Sequence, residues 1–221
     1  MDSLCERHAS FLIPEAACRV SCIVTSPPKP NAVIVLAHGA GAGIQHPFMK
    51  QIAEELYAQR MVTIRYNFPF MENKKRRPDG PVVAMAAVRS AIDFAITQFP
   101  EKPLFASGKS FGGRMSSQFI AHYGGGNIKG VVFLGFPLHP AGKPGTDRAA
   151  HLQQVNLPML FLHGTKDTLA EIGLMEQVCN DLQRATLIQF QGADHSFNAP
   201  KQDLIPNLAA SIASWTHTIL T

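Results

Sequence analysis

The stretch Leu104-Phe105-Ala106-Ser107-Gly108-Lys109-Ser110-Phe111-Gly112-Gly113 holds an apolar run, a cluster of glycines and the start of an amphipathic segment. Beyond it Phe111, Met115 and Phe119 repeat every four residues, the spacing of one helix face. The pattern predicts a strand, a sharp turn and a helix, with Ser110 at the bend. So tight a turn forces Ser110 into a strained backbone conformation, and Gly108 and Gly112 lack the β-carbons that would collide where strand and helix approach. Ser110 Oγ then projects from the bend with the first helical amides behind it, where positive dipole ends favour developing negative charge.

The same rhythm extends in both directions. Ala32 to Ala37 reads as a buried strand ending in His38-Gly39-Ala40-Gly41-Ala42-Gly43, followed by a helical stretch with Phe48, Ile52, Leu56 and Tyr57. Val62 to Tyr66 is a strand stopped by Asn67-Phe68-Pro69, and Pro81 opens a helix carrying Met85, Val88, Ile92 and Ile96. Val131 to Leu134 and Met159 to Leu162 read as further strands. Between them lies a Pro- and Gly-rich stretch, Gly135 to Pro158, whose length suggests a functional rim or small lid. A helix over Leu169 to Leu182, a strand over Ala185 to Phe190 and a helix with Leu204, Leu208, Ile212, Trp215 and Ile219 complete the pattern. Buried strands alternating with helices imply an α/β fold: a doubly wound, mostly parallel sheet with helices on both faces, in one domain over residues 1–221. In such sheets ligands bind beyond the carboxyl ends of the strands.

Composition narrows the function classes. With 46% hydrophobic and 16% charged residues in 221, the chain is globular rather than disordered, and 17 Gly with 16 Pro fit short elements joined by tight turns. Cys5, Cys18, Cys22 and Cys179 form no CxxC pair and no zinc spacing, which points to reduced thiols and a cytoplasmic location. Residues 1–20, with Asp2, Glu6 and Glu15, lack the apolar core of a signal peptide, and the apolar run 32–37 is far too short for a membrane span. A soluble protein without a membrane partner is expected, as a monomer or homodimer. The net charge of +4 owes much to Lys74-Lys75-Arg76-Arg77, but no basic stripe or recognised module accompanies it, so no nucleic-acid partner is expected.

A neutral serine hydroxyl is a poor nucleophile until a base takes its proton, and that base needs a carboxylate to hold its tautomer. Strand 159–162 ends in His163-Gly164-Thr165-Lys166-Asp167, and strand 185–190 ends in Gln191-Gly192-Ala193-Asp194-His195. Asp167 and His195 are therefore the expected acid and base. Asp194 competes as the acid, but neighbouring side chains on an extended loop diverge. The loop after strand 32–37 suits an oxyanion hole, with the amides of Ala40 and Phe111 as donors and Gly41 as the alternative to Ala40. Gly41, Lys109, Phe68 and Leu138 are expected around the substrate, Phe68 and Leu138 as part of an apolar acyl wall with Phe70 and Phe111. Arg65, Arg77, Lys109 and Arg114 suggest a preference for anionic substrates. A metal held by His38, His163 and His195 is conceivable, yet no HExxH or carboxylate cluster supports it, so neither metal nor other cofactor is expected.

The stretches His38 to Met49, Arg65 to Glu72, Gly108 to Ser117, Phe133 to Gly145, His163 to Asp167 and Gly192 to Phe197 together resemble the α/β-hydrolase superfamily, on the dienelactone-hydrolase side, and within it the KANL/Tex-like group of small hydrolases. The resemblance implies a hydrolase fold without a large cap domain and carries the nucleophile, acid and base roles onto Ser110, Asp167 and His195. Dienelactone hydrolases have a cysteine nucleophile. The serine here shifts the expectation to a small-molecule ester or thioester substrate. The alternative is a non-catalytic binding or assembly module that keeps the fold.

Overall fold

The computed structural model describes residues 5–221; the first four residues, and with them the amino-terminal boundary of the expected domain, lie outside the described part. The chain opens with β1 (Glu6–Ile13) and β2 (Cys18–Thr25), an antiparallel hairpin turned by a short 3-10 segment, Pro14–Ala16. It continues through β3 (Ala32–Ala37), α1 (Pro47–Ala58), β4 (Met61–Tyr66), α2 (Pro69–Glu72), α3 (Pro81–Gln98), β5 (Leu104–Lys109), α4 (Phe111–Tyr123) and β6 (Ile128–Leu134). A 3-10 run, Asp147–Gln154, precedes β7 (Met159–Gly164), α5 (Ile172–Asn180), β8 (Ala185–Phe190) and α6 (Ile205–Leu220). The eight strands form one sheet in the order β1-β2-β4-β3-β5-β6-β7-β8, parallel from β4 to β8 and antiparallel at the β1–β2 and β2–β4 pairings.

Strand periodicity of two sends alternate side chains to two separate cores. Val33, Val35, Ala37, Val131, Phe133, Met159 and Phe161 enter the layer under α3, α4 and α5. Ile34, Leu36, Val132, Leu134, Leu160 and Leu162 enter the opposite layer, with Phe48, Met49 and Ile52 of α1 and Leu208, Ile212 and Trp215 of α6. Both faces of the central strands are therefore dry, and β3, β4 and β7 are buried at every position, β3 as an unbroken apolar run. The edges differ. β1 alternates and β8 is mostly half-exposed, as strands paired on one side only can be.

Three expectations change. The buried-run reading begins at Ala32 and omits the β1–β2 hairpin, whose strands carry Glu6, Arg7, His8, Arg19 and Ser21 among their apolar residues. The segment over Leu169 to Leu182 becomes helical only at Ile172, because Asp167 first turns the chain by accepting from the Leu169 amide (2.8 Å). The stretch Gly135 to Pro158 is not a structureless rim. Ala149, Leu152 and Val155 are buried in the α3–α4 layer, and Ser117 Oγ of α4 contacts His151 Nε2 at 2.7 Å.

The chain passes from β3 to β4 on one side and returns to β5 on the other side of β3. The loops after β3 and β5 consequently diverge at the centre of the sheet, where this topology opens a crevice.

Candidate active site

The bend after β5 is built as its glycines require. Ser110 has φ 51° and ψ −113°, a left-handed conformation that costs a non-glycine residue about 1–3 kcal/mol. A β-carbon at Gly108 would stand 2.3 Å from the Gly113 nitrogen, and one at Gly112 would stand 2.6 Å from the carbonyl oxygens of Ala37 and His38. Only bare backbone permits this approach, and it brings the start of α4 against the end of β3. Phe111 opens the helix directly behind Ser110, so the hydroxyl sits at the positive end of the α4 dipole.

Ser110, Asp167 and His195, which follow β5, β7 and β8, come together in space. His195 Nε2 lies 2.8 Å from Ser110 Oγ, and His195 Nδ1 lies 2.7 Å from Asp167 Oδ2. An ionised carboxylate can only accept, so Nδ1 carries the proton to Asp167 and Nε2 is left to accept from the serine hydroxyl. The Asp167 side chain is fully buried, whereas the His195 side chain keeps 20% of its exposure toward the cleft. Asp194 does not compete. Its carboxylate accepts from the Ser196 and Asn198 amides (2.8 and 2.9 Å) and from Asn198 Nδ2 (3.0 Å). Burial pushes its pKa up, but those bonds outweigh burial and hold it below the usual value. Asp194 thus braces the loop on which its neighbour is mounted.

The loop after β3 is held from below by His38. This ring is fully buried, with Nδ1 2.7 Å from the Gly39 carbonyl and Nε2 accepting from the Phe68 amide at 3.0 Å. Burial lowers its pKa to about 4 against the opposing pull of the Gly39 carbonyl, so the ring is neutral and its tautomer fixed at neutral pH. A side chain at Gly39 would begin 3.8 Å from Ser110 Cβ; the loop passes directly against the serine. Ala40, Gly41 and Ala42 then line a cleft of about 720 Å³ that also contains Ser110, His195 and Lys109. Phe48 and Phe197 form its aromatic wall, their rings stacked with centroids 6.0 Å apart, and Leu204 and Ile205 extend that wall.

Several expected contacts fall elsewhere. Phe68 is fully buried beneath the loop, packed edge-on to His38 (5.0 Å) and to Phe111 (5.2 Å), and Leu138 is buried in the α3–α4 layer. Neither lines the cleft, and Phe48 and Phe197 take the place they were expected to fill. Arg65 is buried in an ion pair with Glu6 and donates to the Ile44 carbonyl (3.2 Å); Arg77 is exposed on its loop, and Arg114 lies against the Phe111 ring. Of the four basic residues expected at the mouth, Lys109 is the one that lines it. The apolar wall could have been sought in Phe48 of HPFM and Phe197 of DHSF, two aromatics flanking the loops already singled out. A second serine–histidine contact, Ser117 to His151, lies outside the cleft: Ser117 is fully buried and donates to the Arg114 carbonyl (3.0 Å).

Comparison with known proteins agrees with this architecture. A dienelactone hydrolase from Anabaena variabilis superposes with a TM-score of 0.79 at 20% identity, over 97% of this chain and 98% of that one. The esterase domain of a Rhodothermus marinus protein gives 0.76 at 16% identity, over 97% and 99%. An α/β serine hydrolase without a lid from Xanthomonas campestris gives 0.73 at 18% identity, over 95% of each chain. Identities this low establish a shared fold. Residues 30–217, most of the chain, match the alpha/beta hydrolase domain family, and the protein belongs to the α/β-hydrolase superfamily.

Proposed function

We propose that the protein is a serine hydrolase that cleaves small esters or thioesters through an acyl-enzyme. The observation that carries this reading is the continuous hydrogen-bonded run from Ser110 Oγ through His195 to the buried Asp167, at the foot of an open cleft. In the first half-reaction Ser110 Oγ attacks the acyl carbonyl as its proton passes to His195 Nε2, and Asp167 stabilises the resulting imidazolium. The imidazolium then protonates the leaving alcohol or thiol. In the second half-reaction water gives its proton to His195 and attacks the acyl-serine, which releases the acid and restores the serine hydroxyl.

The backbone amides of Ala40 and Phe111 suit the developing oxyanion, with Gly41 as the alternative to Ala40. Each such donor contributes about 3 to 4 kcal/mol of transition-state stabilisation in a preorganised site. His38 is relevant here because it fixes the loop that carries one of the two. The cleft is of the size that binds small molecules, and Phe48, Phe197, Leu204 and Ile205 offer its apolar part to the substrate.

Turnover of p-nitrophenyl acetate and butyrate tests the reading. Ser110→Ala should lower kcat/KM by about a thousandfold or more with an unchanged far-ultraviolet circular dichroism spectrum. Turnover close to that of the wild type would remove Ser110 from the mechanism.

A further inference from the structure

One half-buried charge in the cleft takes no part in the steps above. Lys109, the last residue of β5, donates from its ammonium to the backbone carbonyl of His195. The same Nζ lies 5.5 Å from the Phe197 ring centroid and 5.8 Å from that of Phe48. Its stem runs beside the oxyanion loop, since a β-carbon at Gly39 would stand 3.7 Å from Lys109 Cγ. Lys109 is thus bonded covalently to Ser110, packed against the loop after β3 and hydrogen-bonded to the residue that supplies the imidazole.

We propose that Lys109 is a positioning residue, whose ammonium holds the His195 loop in register with Ser110 by way of the His195 carbonyl; this rests on the serine-hydrolase reading. A methionine or leucine would fill the same space without the cost of desolvating a charge. Burial is indeed the main force on the group, pushing its pKa down to about 8 against the attraction of Asp167 and Asp194. The ammonium remains mostly charged at neutral pH, so its bond to the carbonyl is charge-assisted, and the two rings add cation–π attraction. The geometry at stake is small in distance and large in rate. A misplacement of about 1 Å between nucleophile and base can cost about a hundredfold.

The experiment compares Lys109→Met, which keeps the apolar stem and removes the donor, with the wild type. With p-nitrophenyl acetate, kcat should fall about 30- to 100-fold while KM changes by less than about threefold. On the resting protein, the downfield proton NMR signal of His195 Nδ1–H bonded to Asp167 should broaden through exchange with water. Lys109→Gln, uncharged and one atom shorter, should move both readouts the same way and serves if the methionine variant does not fold. The NMR signal needs no turnover. An inactive wild type whose signal is lost in the variants would sustain the positioning role and sink the hydrolase reading. Unchanged kcat and an unchanged signal in a folded variant would overturn the inference. So would a rise in KM confined to carboxylate-bearing esters with kcat intact, which would make Lys109 a substrate-binding group instead.

Discussion

Ser110 keeps its left-handed backbone because the residues around it leave no alternative: Gly108 and Gly112 bring two backbones within contact, and the Ser110 amide is tied to the Leu134 carbonyl (3.2 Å). His38 works in the same manner from below, and its titration has a consequence for stability. Its folded pKa of about 4 lies below the ordinary value of 6.5, so between those values the unfolded chain binds the proton and the folded chain does not. Stability is therefore lost as pH falls from 6.5 through 4, by about 3 kcal/mol from this group. His151, lowered to about 4 by burial and by Arg114, adds in the same direction. Urea unfolding at pH 7 and pH 4.5 should show that loss, and His38→Gln should flatten it; an equal slope in the variant would contradict the assignment. Lys109 obeys the same rule at the alkaline end, where stability gains as pH rises from about 8 toward 10.5. These roles were only partly legible in the sequence. Loop positions single out Asp167 and His195, but nothing local reveals that His38 braces the loop after β3, or distinguishes Arg65, whose partner Glu6 is 59 residues away, from an arginine at the cleft mouth.

The elements that read clearly are those buried on both faces. β3, β5, β6 and β7 announce themselves as apolar runs, and the ends of β5, β7 and β8 point to the loops that hold Ser110, Asp167 and His195. β1 and β2 do not, because an edge hairpin interleaves charge with apolar residues and matches neither template cleanly. The segment Gly135 to Pro158 misleads in the opposite way. Its Pro and Gly content suggests a loop over the cleft, yet it packs through Leu152 on the layer opposite the aromatic wall. Leu152→Ala should therefore cost about 2–4 kcal/mol of stability in chemical denaturation while leaving kcat/KM within about twofold. A large change in KM with stability unaltered would restore a lid role to the segment.

Across the whole molecule, a single topological decision places the chemistry. Strand order reverses about β3, so the loops after β3 and β5 part at the centre of the sheet, and β7 and β8 bring Asp167 and His195 to the same end. Gly164 completes the closure. A β-carbon there would stand 2.4 Å from the Ala193 carbonyl, so the loop bearing His195 can rest on the end of β7. No helix among the described residues is long and apolar enough to cross a membrane. The central claim is that one serine among many is nucleophilic because of where the sheet puts it, and covalent labelling tests this most directly. Treatment with a fluorophosphonate followed by peptide mapping by mass spectrometry should find a single adduct, on Ser110, that is lost in Ser110→Ala. An adduct on Ser117 or another serine, or a native protein that takes up none, would contradict the account.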